Sequence, residues 1–186
     1  MKISGRNFTF KQLICLCLYY GFARFMPQSY SRFGGPFFKR MRYLICRNIF
    51  KKCGQNVNIE RMANFGSGLD IELGDFSDLG VNCVVPSNTI IGKCVMMAPN
   101  CYILAQNHET KDTDKPMCFQ GFASKKQTII EDDIWIGRCV TILPGRHIKK
   151  GTIIGACCLL SKDFPEYSVV GGNPSRLLKN RKEVSL

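Results

Sequence analysis

Histidine, tryptophan and acidic residues are all scarce in this chain. Two histidines among 186 residues cannot supply a three-histidine zinc site. The 11 cysteines offer no other ligand set: Cys157 and Cys158 are adjacent rather than spaced as CxxC, and no second pair or histidine cluster accompanies them. No metal is expected. The apolar run from Leu13 to Phe25 is interrupted by Gly21 and Arg24 and falls short of the roughly 20 residues that a bilayer span requires. It also has no small-residue cleavage site at the usual spacing, so it does not read as a secretory signal. Acid is outnumbered, 14 Asp and Glu against 26 Lys and Arg, which leaves a formal charge of +12. That charge would suit nucleic acid, but the basic residues are not gathered with aromatic residues on one recognisable binding module, and no nucleic-acid partner is expected. An anionic small molecule or a membrane surface suits it better.

What the chain has in quantity is a period. From Ile130 every sixth residue is aliphatic: Ile136, Ile142, Ile148, Ile154, Leu160. The same count runs upstream from Leu73 through Leu79, Val85, Ile91 and Met97 to Ile103. Neither helices nor ordinary strands have this period, whereas a hexapeptide β-helix does, three units making one triangular coil. The fourth residue after each aliphatic one is mostly small or slender (Ser77, Cys83, Thr89, Val95, Cys101, Val140, Thr152, Cys158), as the crowded axis of such a coil demands. Glycines follow the aliphatic residue at Gly74, Gly80, Gly92, Gly137 and Gly155 and, with Asn, Asp and Pro, are expected at corners with unusual backbone angles.

Two interruptions break the count. A two-residue slip between Phe65 and Leu73 reads as a ragged first coil. After Ile103 the count fails until Ser124 to Ile130, so a loop of about 109–123 must leave the coil at a corner, and long loops in compact domains are usually functional. One of the two histidines, His108, stands at its root. The other, His147, lies at a corner where no loop emerges and reads as a surface residue. The fold class is all-β, a β-helix over 53–172, preceded by a helical segment over 1–52 and followed by a basic tail over 173–186. Within the first segment, Phe8 to Phe25 and Arg32 to Lys52 both read as helices. They either cap the coil or rest on an anionic membrane surface. Cysteines scattered through the hexads behave as small hydrophobes, which implies a reducing, cytoplasmic setting, with association at the inner face of the membrane as the further possibility.

The run Ile134-Trp135-Ile136-Gly137, continuing through Ile142-Leu143-Pro144-Gly145, Ile154-Gly155-Ala156, Ser161-Lys162-Asp163 and Gly171-Gly172-Asn173-Pro174-Ser175-Arg176, resembles the hexapeptide-repeat acyltransferases. It is most similar to the sugar O-acetyltransferases that act on galactosides, maltose and capsular or exopolysaccharides. The resemblance implies a left-handed parallel β-helix, a homotrimer with active sites between subunits, acetyl-CoA as acyl donor, and a sugar or glycan acceptor.

Acyl transfer to a hydroxyl needs a base, and a histidine titrating near neutrality suits it. His108 is the candidate by position, and the resemblance assigns it that role, with direct attack on the thioester and no acyl-enzyme. By the same resemblance the main-chain N–H of Arg138 would serve the oxyanion, Ala156 would hold the pantetheine arm, Lys162, Arg176 and Lys179 would meet the phosphates of coenzyme A, and Asn82 would touch the acceptor. Trp135 falls at an outward position of its hexad and either packs in a subunit interface or walls the substrate cleft. Three rival functions stand beside this one: an N-acetyltransferase for an amino-sugar nucleotide, a β-helical scaffold without catalysis, and a lipid-surface adaptor led by the basic amino terminus. The acceptor itself is not named by the sequence.

Overall fold

A chain that must turn every few residues forms only short strands, and in the computed structural model, which describes residues 2, 3 and 5–183, the coil strands are mostly two or three residues long. They stack in parallel into the three sides of a left-handed β-helix. Side one carries Lys52–Cys53, Glu72–Leu73, Thr89–Ile91, Thr128–Ile130 and His147–Ile148. Side two begins with Asn58–Ile59 and Asp78–Leu79 and continues through Met96–Met97, Trp135–Ile136, Ile153–Ile154 and Ser168–Gly171. Side three carries Tyr102–Ile103, Thr141–Ile142 and Leu159–Leu160, extended downward by the bridges Asn64 to Val84 and Val84 to Tyr102. Leu73 pairs with Ile91 and Ile130 with Ile148, so one coil is three hexads. Cys53 pairs with Leu73, two residues beyond that spacing, and the excess sits at the expected slip, with Gly68 at φ +66°.

The aliphatic residue of each hexad is buried, as are Ser77, Cys83, Thr89, Val95, Cys101, Thr128, Val140, Thr152 and Cys158. Burying these apolar side chains along one axis is worth on the order of 25 cal/mol per Å² of surface removed from water, which makes the axis the source of the coil's stability. Two expectations need correction. The glycines that follow the aliphatic residues do not have unusual angles; they are required by the close approach of the next coil, since a Cβ on Gly137 would lie 2.6 Å from the Ala156 nitrogen. The left-handed angles belong instead to corner residues such as Asn82, Asn100, Asp133, Cys94, Cys139 and Cys157. Those three cysteines are therefore exposed corner residues rather than small core hydrophobes, a role that falls to Cys83, Cys101 and Cys158.

The amino-terminal segment folds as two helices, α1 (Phe10–Gly21) and α2 (Gly35–Cys46), shorter than the sequence suggests. Thr9 caps α1 through a capping box with Gln12, which satisfies otherwise unpaired N–H groups of its first turn. Tyr19 anchors it by donating its hydroxyl to the Ala63 carbonyl at 2.9 Å. α2 is pinned by the fully buried Arg42, which donates from Nε to the Ile59 carbonyl (2.5 Å) and from Nη1 to the Pro27 carbonyl (2.8 Å), and faces Glu60 at 3.6 Å. The helices thus cap the first coils. Residues 173–183 are not a loose tail: Arg176–Asn180 turns back and pairs antiparallel with Ser168–Gly171, which closes the carboxyl-terminal edge of side two with a strand running the other way. Among the described residues no helix is long and apolar enough to cross a membrane.

Candidate active site

The loop leaves side three after Ile103 and rejoins side one at Thr128. Its root is a short antiparallel ladder: His108 bridges Phe122, Glu109 N–H donates to the Gly121 carbonyl (3.1 Å), and Ala123 N–H donates to the Asn107 carbonyl (2.9 Å). The ladder fixes His108 at the mouth of the loop. Its imidazole is exposed and lies against the Phe122 ring with centroids 4.4 Å apart and planes tilted by 30°. Among the described residues no side chain hydrogen-bonds the ring, so both nitrogens are open to a substrate. Farther out, the Gln120 amide donates to the carbonyls of Asp112 and Lys115, both at 2.7 Å, and shapes the tip. Met117, Phe119 and Phe122 are exposed on this loop. Phe122 escaped the sequence reading; an aromatic residue near the second leg of a loop whose first leg carries histidine was the available signal.

The remaining candidates fall around the two corners that bound side three. Asn82, Arg138 and Ala156 sit at the corner leading into it and are all exposed; Arg138 and Ala156 lie in adjacent coils, and the coil of Asn100 separates Asn82 from Arg138. Asn82 adopts φ +56° and its amide donates to the Asn100 side-chain oxygen at 3.1 Å. That bond gives Asn82 a structural task. The main-chain N–H groups of Arg138 and Ala156 donate to no group among the described residues. Each follows closely on a strand that fixes the backbone before it, and a fixed donor without a partner is what a preorganised site requires. Trp135 faces out from side two, half-exposed, in register with Met96 and Ile153. Arg176 follows the turn at that same leading corner, and Lys179 lies farther back along side two, opposite Val169. Lys162 stands apart from them at the corner that follows side three, the corner from which the loop emerges, with its Nζ 5.5 Å from the Phe164 ring centroid.

One chain therefore holds His108 and Lys162 at one corner, and Asn82, Arg138, Ala156 and Arg176 at the other, with side three between them. His147 is in a strand rather than at a corner. Its Nε2 lies 2.7 Å from Glu131 Oε1, and Lys149 Nζ reaches the same oxygen at 3.4 Å. Glu131, although burial pushes its carboxyl up, is held below the ordinary range by Lys150 N–H, His147 and Lys149. This histidine already has a structural carboxylate partner. Among the described residues no group of His, Cys, Asp and Glu could hold a metal ion.

No protein-family profile matches the chain. It is 30% identical over 134 residues to the galactoside O-acetyltransferase of Lactococcus lactis subsp. lactis (strain IL1403), a match to 70% of this chain that spans 63% of that protein's length. It is 30% identical over 141 residues to the Saccharomyces cerevisiae protein YJL218W, which carries an acetyltransferase designation, covering 75% of this chain and 70% of that one. A solved structure of galactoside acetyltransferase in complex with coenzyme A superposes with a TM-score of 0.73 at 25% identity, over 91% of this chain and 80% of that chain. The chain belongs to the hexapeptide-repeat acetyltransferase family.

Proposed function

We propose that the protein is an acetyl-CoA-dependent O-acetyltransferase that modifies a hydroxyl of a sugar or polysaccharide precursor, working as a homotrimer in the cytoplasm at the inner face of a membrane. The observation that carries this reading is the exposed imidazole of His108, free of side-chain hydrogen bonds at the ladder-fixed mouth of the loop. In the reaction, His108 takes the proton from the acceptor hydroxyl as that oxygen attacks the thioester carbonyl. The carbonyl oxygen becomes an oxyanion that the Arg138 N–H stabilises, and the tetrahedral intermediate collapses with cleavage of the carbon–sulfur bond. His108 then returns its proton to the departing thiolate. The free N–H of Ala156 holds the pantetheine arm, and Lys162, Arg176 and Lys179 take the phosphates, where cationic donors are strongest.

The division of these groups between the two corners of side three supports the trimer. In a cyclic assembly the contact is heterologous, so the leading corner of one copy meets the trailing corner of the next and joins the two halves of the site. The exposed Met117, Phe119 and Phe122 of the loop then gain a covering surface. His108→Ala should lower thiol release from acetyl-CoA, assayed against a panel of sugars, nucleotide sugars and lipid-linked glycans, by about 10²–10⁴-fold. Calorimetry should find coenzyme A affinity unchanged. Turnover near that of the native protein would remove His108 from the mechanism.

A further inference from the structure

The first acidic residue of the chain is Glu60, so the whole amino-terminal segment carries positive charge with no negative side chain among it. Both helices use one face to grip the coil, α1 through Cys15 and Tyr19 and α2 through Arg42 and Cys46. Their other faces are uncovered. On α1, Phe10, Ile14 and Leu18, followed by Phe22, recur at helical spacing and are 79%, 45%, 48% and 53% exposed. On α2 the outward face reads Phe37, Arg40, Leu44, Arg47, preceded by Arg32 and by Phe33, which is 86% exposed. Beside it a groove of about 380 Å³ is lined by Lys39, Arg40, Tyr43, Arg47 and Asn56 among others. The Arg47 guanidinium lies 5.6 Å from the Tyr43 ring centroid, so it is held along the groove rather than released to solvent.

We infer that this surface docks on a bilayer of anionic phospholipid, with Phe33, Phe37 and Leu44 entering the headgroup boundary and Lys39, Arg40 and Arg47 meeting lipid phosphates. The inference rests on the peripheral location proposed above and gives it a lipid chemistry and named contacts. A large apolar patch on a protein surface marks an interaction site. Its charge selects the occupant: cations interleaved with large apolar side chains, and no anions, complement a negatively charged membrane. The same face on a second copy would set like charges against one another, which disfavours a self-contact.

Flotation with vesicles of phosphatidylcholine alone, and of phosphatidylcholine mixed with phosphatidylglycerol, tests this on the 186-residue chain. Binding is expected only to the anionic vesicles and should weaken as salt is raised. The double variant Arg40→Glu, Arg47→Glu should bind them at least tenfold more weakly, and Phe33→Ser, Phe37→Ser should also bind less. Both variants should keep the native sedimentation coefficient and acetyl-CoA affinity. Absence of binding by the native protein, or equal binding by the charge-reversed variant, would overturn the inference. So would a change of sedimentation in the phenylalanine variant, which would make the face a subunit contact. Acetyl-CoA affinity is measured separately, so failure at the membrane is distinguishable from failure of the transferase assignment.

Discussion

Asp78 and Glu60 stand in adjoining coils at side two and respond to burial in opposite ways. Burial pushes the Asp78 carboxyl up to about 6, against a hydrogen bond from the Met97 N–H at 2.5 Å. Burial also raises Glu60, but hydrogen bonds from the Ser29 hydroxyl, the Asn58 amide and the main-chain N–H groups of Ser29 and Arg61 outweigh it and hold that carboxyl below its ordinary range. Glu60 therefore contributes stability above the unfolded value near ~4.3 and loses it as pH falls through its lower folded value. For Asp78 the sign reverses: folding penalises the ionised form, the penalty is absent below the unfolded value near ~3.9, grows up to about pH 6 and is complete above it. Asp78→Asn, which keeps an acceptor for the Met97 N–H, should stabilise the protein at pH 7 by ~2–3 kcal/mol, since each tenfold change in proton affinity on folding is worth about 1.4 kcal/mol. Urea unfolding at pH 7 and again near pH 4 measures this. A gain of the same size at both pH values would show that ionisation is not its cause.

At the level of the coil, spacing between turns limits what a corner tolerates. A methyl group on Gly137 would meet the Ala156 nitrogen at 2.6 Å, whereas one on Gly155 would meet the Val170 carbonyl oxygen at 3.3 Å. Overpacking of the first kind costs about 1–3 kcal/mol. Gly137→Ala should lower Tm by several degrees and also weaken coenzyme A binding, because it displaces the N–H proposed to hold the pantetheine arm. Gly155→Ala should do less of both; paired calorimetric scans and cofactor titrations rank them, and the reverse order would detach Ala156 from the cofactor. These glycines were legible as a repeat, but their reason was not. A periodic glycine in sequence can signal either a positive φ or a close neighbour, and only the stacked coils show that Gly137 answers the second need. The cysteines were ambiguous in the same way, since corner and axis both admit small residues: Cys139 and Cys157 took the corner and Cys158 the axis.

For the whole molecule, the proposed mechanism requires assembly, because side three separates His108 from Arg138 and Ala156 within one chain. Two variants with defects in different parts of the proposed site, His108→Ala at the loop root and Trp135→Ala on the outer face of side two as a wall of the substrate cleft, should each be impaired as pure proteins. Co-refolded together, they should regain activity above either parent, because some interfaces of a mixed trimer then carry the intact histidine from one copy and the intact tryptophan from the next. Sedimentation should give a trimer in every case. A fully active monomer, or no recovery in mixtures that do form mixed trimers, would place the complete site within one chain.

The sequence by itself determined the β-helix, its phase, the site of the slip and the corner from which the loop departs, because every coil repeats the same steric demands and a violation shows at once. It also singled out His108, since a break in a strict period is as visible as the period. The tertiary structure alone decided how far apart the candidate residues lie, because corner membership depends on how many residues the loop removes from the count and on where the chain reverses. Arg176–Asn180 reads as a charged tail until it pairs with Ser168–Gly171. The buried Arg42, facing Glu60 and tying a helix to the first coils, left no periodic trace, since it joins segments that share no repeat. Periodic contacts recur and can be counted along a chain; single long-range contacts occur once and become visible only when the chain is folded.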